Sequence, residues 1–200
     1  MTDLFEEKAK DWDANEMVAA LAAGIGRTLL AHVELHAAMQ VMDFGAGTGL
    51  IASQVAPHVG RITAVDVSRS MLERLLAKQE LAGKVEIRCQ DIIEEPLGMQ
   101  FDLIMSAMAM HHVEDTDRLL RAFAEHLKTG ARLALADLDK EDGSFHPEDA
   151  QGVFHAGFDR EELKEKLERS GLKDVRFVTA HTVHKDGRDY SVFLVLATRG

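Results

Sequence analysis

The chain has 200 residues, of which 46% are hydrophobic, with 23 Lys+Arg against 34 Asp+Glu and a formal charge of −11. That length allows one substantial core, not two, and the acidic balance would repel a phosphate backbone, which sets nucleic acid aside as a partner. There is no apolar run of about eighteen residues and no basic, hydrophobic leader, so the expectation is a cytoplasmic protein with no membrane partner.

In chain order, Leu4 to about Asn15 carries Phe5 and the only tryptophan, Trp12, among charges. Such a segment either docks on the domain or lays its aromatics over something bound there. From Glu16 to about Ala38, Met17, Val18, Leu21, Ile25, Leu29, Val33 and Leu35 recur near helical spacing, with Gly24 and Gly26 as a break, giving one helix or two. His32 and His36 stand four apart, a spacing known from zinc-binding helices. The acid of His-Val-Glu-Leu-His is in the middle place, however, so a solvated helix face is expected and no metal site.

Val41-Met-Asp-Phe-Gly-Ala-Gly-Thr-Gly-Leu50 organises the rest. Val41, Met42 and Phe44 suit a buried strand. Gly45, Gly47 and Gly49 suit a turn passing close to a ligand, since glycine accepts φ > 0 and has no Cβ. Leu50 to Val55 then starts a helix, and Arg61–Asp66 repeats the pattern as a second strand ending in a carboxylate. In Asp43-x-Gly-x-Gly-x-Gly49 followed by Val65-Asp66, the chain resembles the class I S-adenosylmethionine-dependent methyltransferases, of the type 11 or UbiE-like kind. Leu50 departs from the dinucleotide fingerprint G-x-G-x-x-G. The resemblance implies S-adenosylmethionine as cofactor, with Asp43, Gly45, Ala46, Gly47 and Gly49 around it, Asp66 on the ribose, and Val67 and Met71 beyond. It also implies a lid role for the segment through Trp12.

Ser68 to about Leu81 reads as a helix capped by Ser68 or Ser70 and stopped by Gly83. Lys84–Cys89 alternates like an edge strand, and the one cysteine, Cys89, is expected to be a buried thiol there. By resemblance Asp91 meets the adenine amino group and Ile92 the ring. Alternatively, Asp91 caps the turn before Pro96. Phe101–Ser106 is apolar on both faces, as a central parallel strand should be. The following Ala107–Val113 looks like the family's fourth motif, so Ser106 and His111-His112 would border the methionine moiety and the acceptor. Thr116 to about Leu127 reads as a helix with Lys128–Ala131 as its stop, where relatives carry a proline and two glycines. Arg132–Leu138 is a fifth strand, and the polar loop with Asp139, His146 and His155 is the expected substrate wall. A helix opened by Asp159 and ended by Gly171 follows, with Glu162–Lys166 pairing on its wet face. Val175–Thr182 and Tyr190–Thr198 form a hairpin about Lys185-Asp186-Gly187.

The expected fold is α/β, a Rossmann-like doubly wound seven-stranded sheet, mostly parallel with a C-terminal antiparallel hairpin. It forms a single domain over 1–200, with 1–38 as a helical lid or extension. The resemblance implies methyl transfer to a small-molecule acceptor. A base, where the acceptor arrives protonated, would be among His112, His111, His146, His155 and Asp139. A binding or regulatory protein that keeps the cofactor site is the alternative. An NAD-dependent oxidoreductase is disfavoured by Leu50 and the hairpin, and thiolate metalloid chemistry by the single cysteine. Oligomeric state is not legible in the sequence.

Overall fold

The structure, a computed structural model, describes residues 3–147 and 149–200, so Met1 and Thr2 of the expected extension lie outside the described residues. In β1 (Gln40–Phe44) Val41 packs into one core and Met42 into another, and in β4 (Phe101–Ala107) Leu103 and Ile104 do the same. Strands buried on both faces need cover on both, the environment of a parallel sheet. β2 (Arg61–Asp66), β3 (Val85–Cys89), β5 (Leu127–Leu138), β6 (Leu172–Lys185) and β7 (Arg188–Arg199) complete one seven-stranded sheet. Its order is β3-β2-β1-β4-β5-β7-β6, parallel through β5 and antiparallel at β7 and β6.

Three helices cover one face: α1 (Glu16–His32), α2 (Leu50–Val55) and α3 (Arg69–Leu76), through Ile25, Leu29, Ile51, Val55, Leu72 and Leu75. On the other, α4 (Thr116–His126) and α5 (Arg160–Arg169) bury Leu119, Phe123, Leu163 and Leu167. This is the Rossmann-like doubly wound sheet with its terminal hairpin. The strand order reverses between β1 and β4, where a crevice forms at the carboxyl ends. No helix among the described residues is long and apolar enough to cross a membrane.

Several local expectations are narrowed or corrected. α1 is one unbroken helix, and its glycines answer to packing: a Cβ on Gly24 would stand 2.5 Å from His181 Nδ1, and one on Gly26 would run into Gln54. The helix ends at His32 with Val33 extended, so His36 lies beyond it and the two histidines share no helix face. No turn separates α4 from β5. The strand begins at Leu127, and a register irregularity opposite Phe101–Leu103, with Gly130 at φ 79°, absorbs the change. Cys89 is exposed because β3 is the sheet's edge. Ser68 is the cap of α3, and Lys166 reaches out to Asp117 and Thr116 instead of pairing along α5. The β6–β7 hairpin is longer than expected. Its turn sets Asp186 at φ 52° and Gly187 at φ 74°, the left-handed pair of a two-residue type I′ turn.

Gly24→Val tests the α1–β6 packing, because a branched side chain there must displace the His181 ring from its seat. A loss of about 1–3 kcal/mol in denaturant unfolding is expected. An unchanged midpoint would mean that β6 yields at no cost.

Candidate active site

The turn after β1 sets Gly45, Gly47 and Gly49 at φ 65°, 53° and 82°. Their surroundings differ. A Cβ on Gly45 would collide with the Ala109 methyl and one on Gly49 with Leu75, whereas a Cβ on Gly47 would meet nothing within 4 Å. Gly47 therefore presents bare backbone to open space. Its N–H donates to Asp66 Oδ2 (2.8 Å) and the Ser68 N–H to Asp66 Oδ1 (2.8 Å), fixing the carboxylate at the end of β2 beside the turn. Burial raises the Asp66 carboxyl above its ordinary range against the pull of these N–H groups. Ala46 is buried and its N–H donates to the Val65 carbonyl.

Asp43 is 2% exposed and its Oδ2 has no hydrogen-bond partner. Burial, and then the charge of Asp66, push its carboxyl up to about 8. Ser106, paired across β4 with Phe44 of β1, also has a buried oxygen with no partner. Val67 is exposed next to Asp66, and Met71 is buried in α3. Asp91 Oδ1 accepts the Ile93 N–H (2.8 Å), the turn-capping alternative raised by the sequence. Ile92 is fully buried in the cluster of Met42, Val65 and Phe101, leaving no open face for a ring.

Beyond β4, Met108 at φ 55° turns the chain back so that Met110–His112, a single 3-10 turn, lies over β5. His111 Nδ1 is 2.7 Å from Asp137 Oδ1, and the His111 N–H donates to Asp137 Oδ2 (3.2 Å). The Leu138 N–H also donates to Oδ1. With donors on every side, Asp137 acts as an acceptor and fixes the His111 proton on Nδ1. The side chains are 1% and 0% exposed, and His111 Nε2 is left with no partner. The His112 ring lies 4.2 Å and the His146 ring 4.9 Å from that of His111, and His146 Nε2 is likewise buried without a partner. His112 Nδ1 donates to the Gly152 carbonyl (2.6 Å).

His155 and Asp139 are not brought into this cluster. His155 Nε2 donates to the Val113 carbonyl (2.9 Å), and its ring lines a separate surface cavity with Thr116, Lys140 and Phe158. Asp139 is clamped by Arg160 through two hydrogen bonds of 2.6 and 2.7 Å. The residue that sequence reasoning passed over is Asp137. An acid in the same phase as the buried Leu133 and Leu135 of an apolar strand was the available signal.

Two further segments wall the site. Near the N-terminus Asp3 accepts from Ser68 Oγ, Ser70 Oγ and the Ser70 N–H, while Asp13 accepts from Thr48 Oγ1 (2.5 Å) and pairs with Lys78. Phe5 stacks edge-on to both Trp12 and His112. On the other side Lys185 donates to the Phe145 carbonyl (2.6 Å) and Phe145 packs on Tyr190, so the hairpin holds the loop carrying His146.

A family profile described as a methyltransferase domain matches residues 42–133, the stretch holding the glycine turn, Asp66, Ser106 and the histidine pair. The chain belongs to the class I S-adenosylmethionine-dependent methyltransferases. S-adenosylmethionine is the cofactor. An uncharacterized methyltransferase of Schizosaccharomyces pombe is 27% identical over 157 residues, covering 70% of this chain and 55% of that protein. An O-methyltransferase of Aspergillus sclerotiorum, resE, is 29% identical over 179 residues, covering 84% and 67%. Among solved structures, the complex between the Haloferax volcanii Trm112 methyltransferase activator and a putative methyltransferase matches with a TM-score of 0.81 at 17% identity, over 99% of this chain and 98% of that one. The chain thus spans a little over half the length of the first of these relatives and about two-thirds of the second.

The methyltransferase site carries a stability consequence. Burial, and then the neighbouring imidazoles, push His112 and His146 down from 6.5 to about 4. Between those values the unfolded chain takes up protons that the folded chain refuses, so stability falls as pH drops through the window and is untouched by these groups above it. Melting curves from neutrality down to about pH 4 should show a slope that shrinks in His112→Asn or His146→Asn. Equal slopes would mean that both rings titrate as they do in the unfolded chain.

Proposed function

We propose that this chain transfers a methyl group from S-adenosylmethionine to a small-molecule acceptor, with His111 as general base and Asp137 as the residue that positions it. The observation that carries this reading is the buried His111–Asp137 pair, whose Nε2 has no protein partner and lies at the same sheet edge as the glycine turn. The donor set supports the cofactor. Asp43 Oδ2 and Ser106 Oγ, buried and unpartnered, suit the polar groups of a methionine moiety, and Asp66 suits a ribose diol. Gly45, Ala46, Gly47 and Gly49 would allow close backbone approach. Val67, Met71 and Asp91 would lie at the adenine end, with Ile92 supporting from within the core and Trp12 closing above.

When bound, S-adenosylmethionine supplies a methyl group already activated by a sulfonium, so no acid is needed for departure. The chain's own work is alignment, exclusion of water and removal of the acceptor's proton. Asp137 keeps the His111 proton on Nδ1, which leaves the Nε2 lone pair without a protein partner. We assign the segment through Trp12 as a lid, on its hydrogen bonds to the cofactor-side elements and its Phe5–His112 contact. The name of the Aspergillus relative supports a methyl-transfer reading, and the histidine cluster favours it over a binding-only role.

Isothermal titration calorimetry should detect binding of S-adenosylmethionine. Asp66→Ala should weaken it about tenfold or more by removing a charged acceptor. Because Asp43 is held near 8 without a cation beside it, an ammonium brought against Oδ2 should lower it and release a proton at neutral pH. The heat should then vary with the buffer's ionisation enthalpy, and that variation should vanish in Asp43→Asn. Buffer-independent heats in the unmodified protein would remove Asp43 from the cofactor site.

For catalysis, His111→Ala should keep cofactor affinity and lose about 10²–10⁴-fold in turnover of labelled cofactor on a metabolite panel. Asp137→Asn should lower kcat by about 10²-fold or more with little change in KM, because the His111 tautomer is released. Normal turnover in both variants would place the base elsewhere. Cofactor heat with no turnover on any acceptor would favour the binding role.

A further inference from the structure

We infer that Met108 is a positioning residue: its left-handed backbone, rather than its side chain, seats His111 on Asp137 and Ala109 on the glycine turn. The inference rests on the reading of His111 as the base. Among the described residues three other than glycine have positive φ, Asp174 at 56°, Asp186 at 52° and Met108 at 55°. Asp visits that region with help from a local hydrogen bond of its own side chain. A long apolar side chain has no such help and stands there against a steric cost. Strain of this kind persists only where the surroundings impose it, and it gathers at functional sites.

Here the surroundings are explicit. The Met108 N–H donates to the Ala136 carbonyl (2.8 Å), one step beyond the Ala107–Ala136 pair that ends the β4–β5 ladder. The Met108 side chain packs against the core of α1, α2 and α3, and Met110, two residues on and 1% exposed, lies in the core of α4 and α5. The chain therefore crosses the carboxyl edge of the sheet from one face to the other within two residues. An extended backbone at Met108 would instead prolong β4 and carry the chain off that edge. Between the two methionines, the Ala109 methyl fills the space that a side chain on Gly45 would need, so this crossing rests directly on the glycine turn. Past Met110, the 3-10 turn brings the His111 N–H to Asp137 Oδ2 and its Nδ1 to Oδ1. One backbone conformation thus places both a neighbour of the cofactor turn and the base.

Two substitutions separate backbone from side chain. Asn accepts the left-handed region and discards the thioether, whereas Val is β-branched and resists that region. The readouts are the His111 Nδ1–H proton resonance, the heat of S-adenosylhomocysteine binding, and turnover. In Met108→Asn the resonance and the heat should match those of the unmodified protein, with turnover close to it. In Met108→Val the resonance should shift or be lost to exchange, and binding should weaken through the Ala109–Gly45 contact. Its kcat should fall by about 10²-fold, the loss that a displacement of about 1 Å brings. Loss of the resonance in a folded Met108→Asn protein, or an unmoved resonance in Met108→Val, overturns the inference. Where Met108→Val fails to fold, the resonance of Met108→Asn decides alone: retained, it supports the backbone role, and lost, it removes it. Turnover is a separate matter. An unmodified protein that methylates no acceptor counts against the base reading and leaves the resonance pattern to judge Met108.

Discussion

Parallel strands deliver all their carboxyl ends to one edge of a sheet, and the edge opens where the strand order reverses, here between β1 and β4. The site depends on that constraint. Asp43, Asp66, Ser106 and Asp137 each lie at or one residue before the end of a strand, so four polar side chains distant in sequence meet at one line. The antiparallel β6–β7 hairpin contributes nothing to that edge directly. Its turn end reaches back past β5 and grips the loop of His146 through Lys185 and Tyr190, which carries that histidine to the edge from beyond the parallel strands.

Energetically the edge is an exception within the molecule. A buried polar atom left unpaired costs about 1–3 kcal/mol. Among the described residues the side-chain atoms in that condition are Asp43 Oδ2, Ser106 Oγ, His111 Nε2 and His146 Nε2. The contrast with His126 is instructive. Equally buried, it donates from Nδ1 to the Ala122 carbonyl and accepts the Leu97 N–H at Nε2, spending both nitrogens on holding α4 to the segment before β4. His111 spends only one. The fold satisfies His126 in full and leaves His111 half satisfied, the pattern that the proposed base requires.

Much of this was legible in the chain. The phase of Val41, Met42 and Phe44 and the three glycines are enough for the β1 turn, because strand periodicity and the need for φ > 0 are local properties. Asp186-Gly187 specified its hairpin turn for the same reason. What was not legible depended on tertiary neighbours. Gly24 and Gly26 read as a helix break because His181 and Gln54, which occupy the space beside them, are far away in sequence. Asp139 reads as the site acid because it opens the polar loop, whereas Asp137 lies within the strand's apolar run. Only the Arg160 clamp and the pairing with His111 separate an ion pair from a site acid. His111 and His112, adjacent in sequence, could not be ranked until the turn at Met108 sent one to Asp137 and the other to Gly152.

The N-terminal segment joins the two halves of the site by unlike chemistry. Toward the glycine turn and α3 its contacts are directional: Asp13 on Thr48 and Lys78, and Asp3 on Ser68 and Ser70. Toward the histidines they are aromatic and apolar, Phe5 on His112 and Leu4 beside Gly152. Directional bonds hold one geometry, whereas an edge-on ring tolerates sliding, so the segment is fixed toward the glycine turn and freer toward the histidines. Asp3 also stands near enough to Asp66 to add to the upward push on its carboxyl, so docking of this segment and the charge of Asp66 are linked. A proton on Asp66 or a cation brought beside it relieves that repulsion and favours the docked segment, whereas donors that stabilise its charged form do not.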